Sequence, residues 1–370
     1  MKSLHNSIGL YLHIPFCEKK CAYCDFYSAI FTDKMLDKYV TALIKEIKKW
    51  GGSLDRPIDT IYIGGGTPSL LGNRIEPILK SVYESFKVCE DAEITAEINP
   101  NAKYDFLQSA YNIGVNRLSM GVQSGNDDEL MLLGRSHTAD EAKKKMEEAK
   151  SIGFKNISLD LMLCLPKSNI LRLKESMDFL ISLEPNHISA YMLKIEENTK
   201  FYYDSALSLP SEEEQSAQYL YMCDYLEKNG FSQYEISNFS KLGFESRHNL
   251  KYWQGEEYLG IGPSAHSFLE GKRFYYERDL KKFISLPSTK FDGLGGDLEE
   301  RFMLLLRLKK GVELKDFISP IPKVLIKYIE KLKEEGLLEV DNTHISLTPN
   351  GMLLSNSIIT DITEMLYENI

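Results

Sequence analysis

Three thiols, Cys17, Cys21 and Cys24, fall close together near the amino terminus, in Tyr11-Leu-His-Ile-Pro-Phe-Cys-Glu-Lys-Lys-Cys-Ala-Tyr-Cys-Asp-Phe26. Three thiolates are one short of the four that saturate a cubane iron-sulfur cluster, so one iron would stay open to a small molecule. Two plainer readings compete. A structural zinc would need a fourth ligand, for which His13 is the only close candidate. Thiols buried on one helical face would also show this spacing, because positions i, i+4 and i+7 coincide on a helix. Buried thiols would not call for Lys19, Lys20 and the rings around them, so a cluster is the better reading.

A second motif, Gly64-Gly-Gly-Thr-Pro68, follows the apolar run Thr60-Ile-Tyr-Ile63. Glycines at a strand's carboxyl end let backbone amides approach a ligand's charged groups. The ending of a P-loop is missing, so a nucleoside triphosphate is not implied. A tight strand-to-helix turn would need glycine as well.

Such residues must be positioned by regular elements, and short β-rich runs alternate with helical patterns over two thirds of the chain. Strands are expected at Gly9 to Ile14, Thr60 to Gly64, Glu93 to Asn99, Arg117 to Gly121, Ile157 to Leu163 and His187 to Met192. Met35, Leu36, Tyr39, Val40, Leu43, Ile44, Ile47 and Trp50 recur at helical spacing, with Asp33 as the expected cap. Further helices are expected over Arg74 to Lys87, Tyr104 to Ile113, Thr138 to Ile152, Asn169 to Leu183 and Ser211 to Asn229. The fold class is α/β, a partial (β/α)6 TIM-like barrel whose chemistry sits at the carboxyl ends of the strands. Glu97, Gln123 and Asp160 close or follow such strands. Leu298 to Lys310 and Pro320 to Glu335 read as helices, and Leu337 to Val340 with His344 to Leu347 as a hairpin across Asp341-Asn342. That outline is a small winged-helix-like α+β domain, read as a structural cap. The division expected is 1-235 for the core, 236-285 for a connecting segment and 286-370 for the carboxyl-terminal domain.

The 370 residues carry 44 Lys and Arg against 54 Asp and Glu, a net charge of -10, which disfavours nucleic acid or an anionic membrane as a bulk partner. The start is polar and broken by His13 and Pro15, unlike a signal peptide, and no run of about eighteen apolar residues suggests a span. Cys89, Cys164 and Cys223 are scattered, which fits no disulfide framework. A cytoplasmic location is the expectation.

Taken in order, Tyr11-x-His-Ile-Pro-Phe-Cys, the cysteine spacing, Gly-Gly-Gly-Thr-Pro-Ser, Glu97-Ile-Asn-Pro, Gly121-Val-Gln-Ser and Asp160-Leu-Met-x-x-Leu-Pro resemble the radical S-adenosylmethionine proteins of the oxygen-independent coproporphyrinogen III oxidase type. The resemblance implies a 4Fe-4S cluster on Cys17, Cys21 and Cys24 and S-adenosylmethionine chelating the open iron. It also implies reductive cleavage of the sulfonium to methionine and a 5′-deoxyadenosyl radical. The implied cofactor contacts are Tyr11, Tyr23, Gly65, Gly66, Thr67, Glu97, Gln123, Arg135, Asp160 and Ala190. Taken singly these have plainer roles: Glu97 could cap a turn, and Arg135 could pair with Asp127 or Asp128 at the surface.

Two departures refine the resemblance. The oxidases carry a further cysteine two residues after the third, whereas this chain has Phe26, which cannot ligate iron. That absence resembles the HemW branch, whose members look like haem chaperones. Arg247-His248-Asn249-Leu-Lys-Tyr252-Trp253 matches the branch signature H-N-x-x-Y-W, which implies haem contacts from His248, Asn249, Tyr252 and Trp253. An imidazole can ligate haem iron axially and an aromatic pair can stack on the macrocycle, although the same residues could form a buried knot. His266, in Gly260-Ile-Gly-Pro-Ser-Ala-His266, stands where the oxidases have an apolar residue and is a candidate second contact, unless the segment is only a tight turn. The expectation is a haem carrier with acceptor proteins, an electron donor such as a flavodoxin or ferredoxin, and peripheral membrane contact. Coproporphyrinogen III oxidation is the alternative, and nucleic-acid regulation through the carboxyl-terminal domain a distant one.

Overall fold

The computed structural model describes residues 7–30, 32–313, 320–341 and 344–367. Six parallel strands alternate with helices: β1 (Ile8–Ile14), β2 (Ile58–Gly65), β3 (Val88–Ile98), β4 (Arg117–Gln123), β5 (Asn156–Leu163) and β6 (His187–Met192). The covering helices are α1 (Asp33–Gly51), α2 (Ile75–Ser85), α3 (Tyr104–Asn112), α4 (Ala139–Ile152) and α5 (Ile170–Ser182), followed by α6 (Glu212–Lys228). The strands follow each other in spatial order, the partial (β/α)6 barrel expected from the sequence.

Alternation along the strands sets the two faces. Leu10 and Leu12, Ile61 and Ile63, Leu118 and Met120, and Leu159 and Leu161 are buried within the main apolar core that the helices share. The intervening positions Tyr11, Tyr62, Glu97, Ser119 and Asp160 occupy the opposite face. Parallel barrels usually fill that interior with branched aliphatic side chains. Polar groups there need partners, and a strand of half polar, half aliphatic residues that is buried on both faces signals an interior built for a ligand.

Thr32, not Asp33, caps α1: its hydroxyl accepts from the Met35 amide, while Asp33 sits in the first turn and pairs with Arg74. Both are short polar residues, and the chain bends one residue earlier than expected. The helix expected over Leu298 to Lys310 ends at Leu305, because Leu308 turns away to bridge with Glu235.

The segment beyond the sixth strand adds six more strands to the same sheet. These are β7 (Ser232–Glu235), β8 (Asn238–Ser240), β9 (Tyr258–Ile261), β10 (His266–Leu269), β11 (Lys272–Tyr276) and β12 (Thr289–Leu294). β8 pairs antiparallel with β6, whereas β9 crosses to the far edge and pairs parallel with β1, Gly9 opposite Tyr258 through Leu12 opposite Ile261. Between them runs the short helix α7 (Arg247–Trp253). The carboxyl-terminal unit follows: helix Leu298–Leu305, helix Lys323–Glu334 and a three-stranded sheet of Val312–Glu313, Leu338–Val340 and His344–Leu347, with helix Ser355–Tyr367 packed on both helices. Asn342, in the expected hairpin turn, lies outside the described residues. Tyr234, Ile236, Arg307 and Lys309 exchange backbone hydrogen bonds that fasten this unit to the barrel.

Candidate cofactor site

Cys17 to Cys24 form a loop rather than a helix, which removes the reading as thiols on one helical face. Phe16–Cys17 pairs in parallel with Ala29–Ile30, so the loop closes on itself just beyond β1. Ala22 anchors it, donating to Leu133 O and accepting from the Phe201 amide. All three thiols are half-buried, and burial pushes the Cys24 thiol up from its ordinary range. The Thr67 hydroxyl lies 3.6 Å from Cys17 Sγ and Arg135 Nη1 lies 3.5 Å from Cys21 Sγ, so each of these sulfurs has a hydrogen-bond donor beside it. Among the described residues no group of three Cys, His, Asp or Glu side chains could hold a single metal ion. The thiols of a cubane each bind a different iron, whereas one zinc needs all its ligands around a single point.

The glycine loop at the end of β2 is there because nothing larger fits. Gly65 has φ +114°, and a Cβ on it would come 2.6 Å from the His13 ring. A Cβ on Gly66 would lie 2.5 Å from Phe16 O and 2.9 Å from Ile14 O, both backbone atoms that cannot swing away. The loop therefore packs directly against the strand that launches the cysteines.

Glu97 and Asp160 rise from β3 and β5 into the space beyond. Tyr62 donates to Glu97 Oε1 at 2.9 Å and the Gly65 amide to Oε2 at 3.0 Å. Burial nevertheless pushes Glu97 up to about 7, with the Asp160 charge adding to it. Asp160 is pushed up to about 6 by burial, opposed by Arg135 and Arg117. Arg135 is not at the surface pairing with Asp127 or Asp128. Its Nη2 donates to Asn99 Oδ1 at 2.8 Å and to Gly121 O at 2.5 Å, while Asp128 pairs with Arg172. Gln123 holds a left-handed φ of 79°, a strained conformation of the kind that functional sites retain.

These side chains share one cavity of about 340 Å³, lined by Cys17, Cys21, Cys24, Tyr23, Gly65, Gly66, Thr67, Glu97, Gln123, Arg135 and Asp160, with Phe26 at its rim. Phe26, standing where the oxidases have a cysteine, is 71% exposed. Tyr62, Asn99, Ser119 and Tyr191 also line it and were not singled out from the sequence. The signal for Tyr62 and Ser119 was their alternate position in otherwise apolar strands.

Other expected contacts lie elsewhere. Tyr11 is in the barrel interior beneath the cavity, its hydroxyl 2.9 Å from His13 Nδ1. Ala190 is buried and its amide is spent on Ser237 O. His266 sits on β10, exposed, stacked on Tyr275 and 3.9 Å from Asp292, away from the cavity.

His248, from which haem contact is expected, lies deep in the fold. The residue is fully buried, with Nδ1 2.8 Å from Thr60 Oγ1 and Nε2 2.8 Å from the Tyr252 hydroxyl. Both ring nitrogens are therefore hydrogen-bonded, and burial holds the imidazole down at about 3. Ser246 caps α7, its hydroxyl accepting from the Asn249 amide, Tyr252 packs edge-on against Tyr258, and Trp253 lies under Arg307 of the carboxyl-terminal unit. None of the four lines the cysteine cavity.

Residues 11–180 match the Radical SAM superfamily and residues 297–354 the HemN C-terminal domain. The chain is 36% identical to Heme chaperone HemW of Bacillus subtilis, covering 94% of this chain and 97% of that one, and 34% identical to Heme chaperone HemW of Lactococcus lactis, covering 94% and 95%. Among solved structures, coproporphyrinogen III oxidase (HemN) from Escherichia coli superposes with a TM-score of 0.82 at 22% identity, covering 97% of this chain and 90% of that chain, a likeness of fold. With a radical SAM core, the HemN carboxyl-terminal domain and this level of identity along nearly its whole length, the chain belongs to the HemW family of heme chaperones.

Proposed function

We propose that Cys17, Cys21 and Cys24 hold a 4Fe-4S cluster, that S-adenosylmethionine binds against it, and that the protein carries haem to acceptor proteins. The observation that carries this reading is the convergence of the three thiols, the glycine loop and two half-buried carboxylates on one cavity at the carboxyl ends of the strands.

The residues present fit both groups. Three thiols with adjacent hydroxyl and guanidinium donors suit a cluster with one open iron. Glu97 and Asp160 are costly to keep ionised in an apolar interior, and a ligand that brings a cation relieves that cost. The ammonium and sulfonium of S-adenosylmethionine supply such charge, and the Gly65-Gly66 backbone leaves room for a carboxylate to approach. When bound, the pair would supply one-electron chemistry, fed by a donor such as a flavodoxin or ferredoxin. The chain's own part is to orient Glu97 through Tyr62 and Gly65, and to fix Arg135 against Cys21.

Haem as cargo rests on the relatives' shared name, and Phe26 supports it by removing the thiol that the oxidases retain. Among the described residues no helix is long and apolar enough to cross a membrane, so membrane contact would be peripheral.

The test uses anaerobically reconstituted protein given S-adenosylmethionine, a reductant and coproporphyrinogen III. No protoporphyrinogen IX should accumulate, whereas haem added to the same protein should develop a Soret band and move to an added apo-haemoprotein. Catalytic formation of protoporphyrinogen IX would overturn the carrier reading in favour of the oxidase.

A further inference from the structure

The H-N-x-x-Y-W helix α7 has both nitrogens of its His248 ring hydrogen-bonded, and it occupies the floor of the barrel rather than its surface. Its start is fastened to the strand that bears Glu97: Glu93 on β3 accepts from both the Arg247 and the His248 amides, each at 3.1 Å. Four residues along, on the same face of β3, stands Glu97. The His248 ring is fixed on three sides. Thr60 on β2 meets Nδ1, Tyr252 meets Nε2, and Gly9 on β1 packs closely against it, a Cβ there coming 3.1 Å from His248 Cε1.

The top of that ring is the platform for Tyr62. The two rings stack with centroids 5.3 Å apart and planes 29° apart, and Tyr62 lies two residues beyond Thr60, on the same face. From this seat the Tyr62 hydroxyl reaches Glu97 Oε1, while Oε2 takes the Gly65 amide. A continuous packed path therefore runs from α7 through one tyrosine to a cavity carboxylate and the glycine loop.

We propose that His248 is a positioning residue: stacked beneath Tyr62, it sets the geometry with which Glu97 receives the cationic end of S-adenosylmethionine. The inference rests on the proposed cofactor site and gives the motif a role there. A rigid aromatic seat holds the Tyr62 hydroxyl at one point, so Glu97 keeps both oxygens bonded and presents its remaining lone pairs to the ligand.

The test is S-adenosylmethionine binding to reconstituted protein, measured by calorimetry and by the change it causes in the electron paramagnetic resonance spectrum of the reduced cluster. Tyr62→Phe keeps the stack and removes the hydroxyl; His248→Asn removes the platform. Each should weaken S-adenosylmethionine binding about tenfold while leaving haem affinity within about twofold. The double variant should bind no more than about twofold more weakly than His248→Asn alone, because both act on one path. Trp253→Phe, on the same helix but facing Arg307, should bind as wild type. Tyr62→Phe binding S-adenosylmethionine within twofold of wild type would overturn the proposal even if His248→Asn failed to fold, as would a His248→Asn loss confined to haem. Wild type that bound no S-adenosylmethionine would instead overturn the cofactor reading beneath it.

Discussion

Replacing Glu97 by Gln should shift the stability of the cofactor-free protein in the variant's favour as pH rises from about 4.5 to 7. Glu97 titrates at about 7 in the folded chain against an ordinary value of 4.5, chiefly because it is buried. The folded state therefore holds its proton to higher pH than the unfolded state does. Between pH 4.5 and 7 the native chain binds more protons, so stability falls as pH rises through that window, and the whole penalty is present above it. The difference corresponds to roughly 3 kcal/mol. Asp160 adds to it, since the two carboxylates repel and removing one charge relieves the other.

Glutamine keeps one acceptor for the donors Tyr62 and Gly65 and turns an amide donor toward the other, a mismatch of about 1–3 kcal/mol that does not vary with pH. The diagnostic quantity is thus the change in the variant-minus-wild-type difference rather than its absolute size. Urea unfolding of both proteins from pH 5 to pH 8 should show the variant gaining up to roughly 3 kcal/mol relative to wild type as pH rises. The same variant should bind S-adenosylmethionine more weakly, having lost the charge that meets its ammonium. A difference that stayed flat across the range, or moved the other way, would refute the idea that Glu97 is held at a cost for the sake of a cationic ligand.

Three further outcomes can be checked separately. Cys21→Ala should lose the iron and the absorbance near 400 nm on reconstitution while its far-ultraviolet dichroism stays that of wild type; unchanged iron content would contradict the ligand assignment. Gly66→Ala should lower unfolding stability by about 1–3 kcal/mol, since its Cβ meets the Phe16 and Ile14 carbonyls, and a wild-type urea midpoint would show that the β1 end yields freely. A fragment ending at residue 235 should aggregate where one ending at residue 296 stays soluble and cooperative, as judged by sedimentation and thermal melting. The shorter piece lacks the strands that pair with β1 and β6.

The barrel was legible because its strands are short apolar runs separated by strongly periodic helices, as with Leu36, Tyr39, Val40, Leu43 and Ile47 on α1. The cavity was legible where chemistry restricts residue type: thiols, consecutive glycines, acids at strand ends. What escaped was determined by long-range pairing. Tyr258–Ile261 is only four residues and is read as a strand because it completes β1, more than two hundred positions earlier. His266 looked chemical by type, but its strand is the second beyond β1 on that side of the sheet and faces solvent. His248 was singled out for its nitrogens; Tyr252 on Nε2 is four residues along the same helix, but Thr60 on Nδ1 and Glu93 on the backbone amide lie far upstream, where no local pattern could reveal them.

The same pairings explain why a polar interior can be stable here. The lower tier, with His248, Thr60, Tyr252, His187, Ser158 and Tyr234, is sealed and internally bonded: His187 has Ser158 on one nitrogen and Tyr234 on the other, each at 2.7 Å. Buried polar groups satisfied in this way cost little and fix geometry. The upper tier is left incomplete, with Glu97 and Asp160 raised toward neutrality and the thiols only half-covered. Strand β9 and helix α7 belong to the bonded lower tier, which places part of the segment between core and carboxyl-terminal unit in the foundation of the site. A rigid floor beneath an unsatisfied ceiling is what lets a ligand supply the missing charge without the barrel having to rearrange.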